Sequence, residues 1–103
     1  MNSDFLILFS RKGCCLCESL EKKLSNINLV NLNPPVILSI VDIDSKEVSN
    51  DIKIKYTNEV PVLVLKSNRF LREFELPRVS PRLKEDLLLS WIQKNLNIFF
   101  KSS

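Results

Sequence analysis

Cys14 and Cys17 flank two residues in Gly13-Cys14-Cys15-Leu16-Cys17, directly after the apolar run Phe5-Leu6-Ile7-Leu8-Phe9 and directly before a stretch of helical periodicity. Two thiols at this spacing suit either thiol–disulfide exchange or ligation of a metal or iron–sulfur cluster. The setting favours exchange. A strand that delivers the first sulfur to the mouth of a helix places it among unpaired N–H groups and the positive end of the helix dipole, which favour a thiolate over a thiol. Arg11 and Lys12 add positive charge nearby. Cys17, one turn further in, is within bridging reach of Cys14 and would act second. Ligation is disfavoured within one chain, because there is no histidine and no second cysteine pair. A cluster shared between two chains stays open as the alternative, with the protein then a non-catalytic binding module. Cys15 reads as packed or solvated at the helix start, as a small hydrophobe.

The elements that must hold this dithiol follow from periodicity. Phe5–Ser10 reads as a buried strand, and Gly13, the only glycine of the chain, as a tight turn into the helix. Leu16, Leu20, Leu24 and Ile27 recur at helical spacing, predicting an amphipathic helix over 15–27 with these residues facing the core. Asn-rich residues 26–33 and Pro34-Pro35 form a connection, since neither proline continues a helix. The near-continuous apolar run 36–41 predicts a strand covered on both faces. Asp44 and Glu47 fit a capping box, and Val48, Ile52 and Tyr56 then predict a helix of about three turns. Val60–Leu65 is strand-like, with Pro61 near its start. Residues 66–69 predict a hairpin turn, and Phe70–Leu76 an edge strand. Ser80-Pro81 reads as the cap and first position of a last helix reaching about Asn97, with Leu83, Leu87, Leu88, Trp91, Ile92 and Leu96 on its apolar stripe. Ile98-Phe99-Phe100 would wrap back onto the core. The order is β-α-β-α-β-β-α. Right-handed crossovers predict that the first three strands are parallel and the hairpin antiparallel, in a four-stranded mixed sheet with helices on both faces.

Composition narrows the class. A chain of 103 residues, 45% of them hydrophobic, is expected to form a single domain over residues 1–103 with one core and no need of disulfide staples. Three cysteines bunched within four positions differ from the spread half-cystines of a small secreted scaffold. The N-terminal apolar run spans five residues with no basic region ahead of it, too short for a signal peptide or a membrane span, so a cytoplasmic protein with no membrane partner is expected. The net charge of +3 is uneven: seven basic residues stand against eight acidic ones in 1–65, and eight against four in 66–103. Lys66, Arg69, Arg72, Arg78, Arg82 and Lys84 are interrupted by apolar strand positions, which reads as a solvated basic face with no nucleic-acid partner.

The tract Leu8-Phe9-Ser10-Arg11-Lys12-Gly13-Cys14-Cys15-Leu16-Cys17, the end of the second strand at Val41-Asp42-Ile43-Asp44, and Val60-Pro61-Val62 before a hairpin together resemble the glutaredoxin branch of the thioredoxin-fold family. The chain is most similar to its small glutaredoxin-like members, with Gly-Cys-x-Leu-Cys where others carry Gly-Cys-Pro-Tyr-Cys. The resemblance implies an α/β, thioredoxin-like three-layer sandwich and a thiol–disulfide oxidoreductase in which Cys14 attacks and Cys17 resolves. It also implies that Pro61 is cis and packs beside the dithiol, with the Val60 backbone pairing to a bound peptide or glutathione. Local sequence alone favours a trans Pro61. The partners so implied are a disulfide-containing protein or glutathione, which would also serve as reductant. No tightly bound cofactor is expected, and neither is a partner subunit. Arg11, Lys12 and Arg78 are the cations available to glutathione's carboxylates. Two departures bear on glutathione: Cys15-Leu16 replaces the Pro-Tyr pair, and Leu76-Pro77-Arg78-Val79-Ser80-Pro81 lacks the glycines and acids that open the last helix in glutaredoxins.

Overall fold

A computed structural model of the chain describes residues 4–68, 72–80 and 82–101. Four strands, β1 (Asp4–Ser10), β2 (Ile37–Asp42), β3 (Val62–Ser67) and β4 (Arg72–Glu75), form one sheet in the order β2-β1-β3-β4. Three helices accompany it: α1 (Cys15–Asn26), α2 (Asn50–Tyr56) and α3 (Glu85–Lys101). The element order is the one the periodicity predicts. Residues 69–71 of the expected hairpin, and Pro81, lie outside the described residues.

Alternation along β1 divides the core in two. Leu6 and Leu8 point to one face with Leu63 and Leu65 of β3, meeting Leu20 and Leu24 of α1 and Leu88, Ile92, Leu96 and Phe99 of α3. Phe9 points to the other face and packs with Val64, Ile43 and Tyr56 at the end of α2, its ring 5.0 Å from that of Tyr56. Helices thus cover both faces of a mixed sheet, in three layers.

Strand direction departs from expectation. β1 and β2 are parallel, but β3 runs antiparallel to β1, with Phe9 paired to Val62 and Asp4 to Ser67. The right-handed crossover rule applies only where the chain returns to the opposite end of the sheet before the next strand. Here the connection through α2 begins and ends at the same end, so the chain enters β3 where it left β2.

The same topology makes β2 an edge strand, so Ile37 and Ile40 are exposed rather than covered on both faces. β1 and β3 take the central positions.

Helix ends also shift. Ser49, not Asp44, caps α2, its hydroxyl accepting the Ile52 N–H. Residues 43–48 are turns in which the Asp42 carboxylate accepts the Asp44 N–H and Ser45 accepts the Glu47 N–H. These local side-chain bonds compete with helix formation, which leaves α2 about two turns long. α3 starts at Glu85 rather than near Ser80, whose hydroxyl instead accepts the Arg82 N–H in a turn. It continues to Lys101, so Ile98-Phe99-Phe100 belongs to the helix and Phe99 enters the core along the stripe of Leu88, Ile92 and Leu96.

The connection after α1 contains a short 3-10 turn, Leu29–Asn31, that buries Leu29. Its Asn33–Pro34 bond is cis. Gln93 of α3 holds this loop, accepting the Asn33 N–H at 2.8 Å and donating to its carbonyl at 2.9 Å.

Candidate functional site

β1 ends at Ser10, and three residues later Gly13 turns the chain with φ +80°, a left-handed conformation that L side chains disfavour. A Cβ at this position would meet nothing within 4 Å, so the demand for glycine is conformational and not steric. Gly13→Ala is expected to cost about 1 kcal/mol and Gly13→Asn less. Denaturant midpoints check the order; equal losses for the two would show that the left-handed turn is not what constrains the site.

The turn delivers Cys14 to the N-cap of α1 in extended geometry. Its carbonyl accepts the Glu18 N–H at 3.0 Å, and its Sγ accepts the Cys17 N–H at 3.1 Å. Sulfur thus occupies the place where a Ser or Asp oxygen usually caps a helix. Cys14 and Cys17 are joined as a disulfide, with Cα atoms 5.2 Å apart. Their surroundings differ sharply: Cys14 is half-buried, whereas Cys17 is 1% exposed. Cys15 is exposed as a free thiol.

The Val60–Pro61 peptide bond is cis, against local sequence expectation. Because Val62 pairs with Phe9, Pro61 stands at the sheet end from which β1 departs for the dithiol. Leu16 and Pro61 line one groove, of about 350 Å³, so the dithiol helix and the Pro61 turn share a surface. Val60 is half-buried and packs on the cluster around Phe9.

Arg11 is held elsewhere. Its Nε and Nη2 donate to the two carboxylate oxygens of Asp44 at 2.9 and 3.1 Å, and its Nη1 donates to the Thr57 carbonyl at 3.0 Å. This fork ties the turn before the dithiol to the loop after β2 and to the end of α2, and the hydrogen bond to Asp44 raises the Arg11 pKa further. Lys12 is exposed in the turn. Arg78 forms an ion pair with Glu59 at 3.0 Å.

On the other flank of Pro61, Tyr56 donates its hydroxyl to Glu75 at 2.8 Å. Burial, and secondarily that carboxylate, pushes the phenol well above its ordinary value. The hydroxyl is therefore a fixed donor.

Sequence reasoning missed four contributors. Leu16, assigned to the core stripe of the first helix, is half exposed and faces the groove. Val79 and Leu83 close the groove from the segment before α3. Asp44, read as a helix cap, is the partner of Arg11. Its signal was present: a parallel second strand ending level with Ser10 brings residues 43–44 beside residues 11–12.

Among the described residues, no group of three His, Cys, Asp or Glu side chains is arranged to hold a metal ion, and no helix is long and apolar enough to cross a membrane.

A family model of the Glutaredoxin-like domain (DUF836) matches residues 5–93. Among solved structures, a malarial protein superposes with a TM-score of 0.59 at 20% sequence identity, covering 91% of this chain and 98% of that one. A structural-genomics target protein from X. campestris gives a TM-score of 0.49 at 22% identity, over 86% of this chain and 96% of the other. No curated protein sequence matches the chain.

Proposed function

Because the chain belongs to the glutaredoxin-like domain family and has a thioredoxin-like fold with a close cysteine pair of redox type, we propose that it is a thiol–disulfide oxidoreductase working through Cys14 and Cys17. The observation that carries this reading is the unequal placement of two bonded sulfurs. Cys14 sits half-buried at a helix N-terminus with a backbone N–H aimed at its sulfur, while Cys17 is buried one turn in. In the reduced protein the first sulfur is the one whose thiolate is stabilised, and a thiolate is the attacking species.

The Cys14 thiolate attacks one sulfur of a substrate disulfide, forming a mixed disulfide and expelling the other sulfur as a thiolate that takes up a proton. Cys17, deprotonated, then attacks the Cys14 sulfur. A Cys14–Cys17 bond forms, the mixed disulfide breaks and the second substrate thiol leaves. Two electrons pass from the dithiol to the substrate, and a thiol reductant such as glutathione restores the pair. The Val60–Pro61 turn supplies one wall of the substrate surface. Arg11 acts as a positioning residue through Asp44 and Thr57, and Lys12 is the exposed cation beside the turn. The protein is proposed to act as a cytoplasmic monomer.

Equilibration of the protein in glutathione redox buffers, followed by quenching and mapping of the cysteine pairs, tests the proposal. The expected result is a two-electron transition between the dithiol and a Cys14–Cys17 bridge, with Cys14 alkylating fastest of the three thiols near neutral pH. A pair that bridges at no potential, or a Cys14 that alkylates no faster than an ordinary thiol, overturns it.

A further inference from the structure

The groove shared by Leu16 and Pro61 differs from a site for a small acidic thiol. Its lining is mostly apolar, from Leu16, Leu20, Pro61, Val79, Leu83 and Leu88, with Ser19 and Ser80 adding hydroxyl groups. Among the described residues two cations reach it, and both are engaged: Lys23 donates to the Leu83 carbonyl at 3.0 Å, and Arg78 is paired with Glu59. Arg11 is bound to Asp44, and Lys12 lies outside the lining. A carboxylate entering here would exchange water for a mostly apolar lining, two serine hydroxyls and cations that already hold other partners, whereas an uncharged apolar side chain would gain by leaving water. A volume of about 350 Å³ has room for one or two large side chains.

Resting on the oxidoreductase reading, we propose that this groove seats an apolar side chain flanking the substrate's cysteine, so that the preferred substrate is a disulfide in a polypeptide rather than glutathione. Leu16 joins the groove to the chemistry: it lies between the two motif cysteines and turns half its surface to the space where the neighbouring side chain would rest.

The test uses three substrates with one chromogenic leaving thiol: a short peptide whose cysteine is flanked by leucines, its twin flanked by glutamates, and glutathione. The reduced chain attacks the peptide or glutathione sulfur and releases the coloured thiolate, whose appearance is followed by stopped flow. The leucine peptide is expected to react about tenfold faster than either other substrate. Leu83→Asp and the milder Leu16→Ser should each bring that ratio close to one, and Val30→Asp, at an exposed position outside the groove, should preserve it. Ratios cancel any general change in Cys14 reactivity. Wild-type rates within twofold of each other, a glutathione substrate that reacts fastest, or a ratio that survives both groove substitutions overturns the proposal.

Uniform failure to outpace free cysteine would strike the dithiol mechanism instead. The groove is then judged separately, by titrating the leucine peptide with serine in place of cysteine into the oxidised protein. Saturable amide shifts at Val79 and Leu83 support it, and their absence overturns it.

Discussion

Cys14→Ser is expected to lower disulfide reduction by roughly a thousandfold or more, the loss that follows when an attacking nucleophile is removed. Cys17→Ser is expected to differ: it should still attack but accumulate the mixed disulfide, visible as a protein adduct carrying the mass of the substrate half. The asymmetry follows from placement. Serine at position 14 retains a helix-capping oxygen, so the fold and α1 persist while the sulfur that the Cys17 N–H faces is gone. Serine at position 17 leaves that sulfur at the helix mouth and removes only the buried partner that would release the product. Both variants belong in a Cys15→Ser background, because Cys15 is exposed beside the reacting sulfur and would offer a second route of resolution. Activity assays and intact-mass spectra are read on the same samples. Should the adduct collect on Cys14→Ser and not on Cys17→Ser, the two roles are reversed and the argument from the helix N-terminus fails.

The motif and element order were legible because their signals are local. Strand, glycine and helix follow one another at 5–15, and a buried strand or amphipathic helix announces itself by spacing. What was not legible depends on distance in the fold. The apolar run 36–41 carries no mark telling a central strand from an edge strand, and only its pairing with β1 alone leaves Ile37 and Ile40 in water. The antiparallel β3 is decided by its pairing with β1, far away in sequence, while α2 is short because Asp42 and Ser45 spend their side chains on turns. Leu16 has the spacing of a core residue, yet it stands on the first turn, beyond the edge of the packed layer. Arg11 was legible as a cation near the dithiol but not as a bound one, since Asp44 and Thr57 lie 33 and 46 residues away in sequence. The cis Pro61 came from family resemblance, not from any property of Val60-Pro61-Val62 itself.

Phe99→Ala is expected to destabilise the protein by about 3–5 kcal/mol, against a total stability of roughly 5–15 kcal/mol for a domain of this size. Phe99 is 1% exposed, stacks on Phe74 of β4 with ring centroids 5.9 Å apart, and meets Phe100 at 5.1 Å. It therefore fastens the last turns of α3 to the far edge of the sheet. Ile98→Ala, at a position 48% exposed on the same turn, controls for helix propensity and should cost well under half as much. Phe99→Leu, which keeps most of the volume, is expected to lie between them at about 1–2 kcal/mol. The comparison discriminates between two placements of the C-terminal segment. A helix ending near Asn97 with residues 98–100 folded back onto the core imposes no helical alternation between 98 and 99 and does not predict a marked difference between them. A helix running to Lys101 imposes opposite environments on adjacent residues, because successive positions differ by about 100° around its axis. Equilibrium urea unfolding of the three variants measures the difference. Unequal midpoints in the order Ile98→Ala, Phe99→Leu, Phe99→Ala, at unchanged slope, require Phe99 in the core and Ile98 outside it.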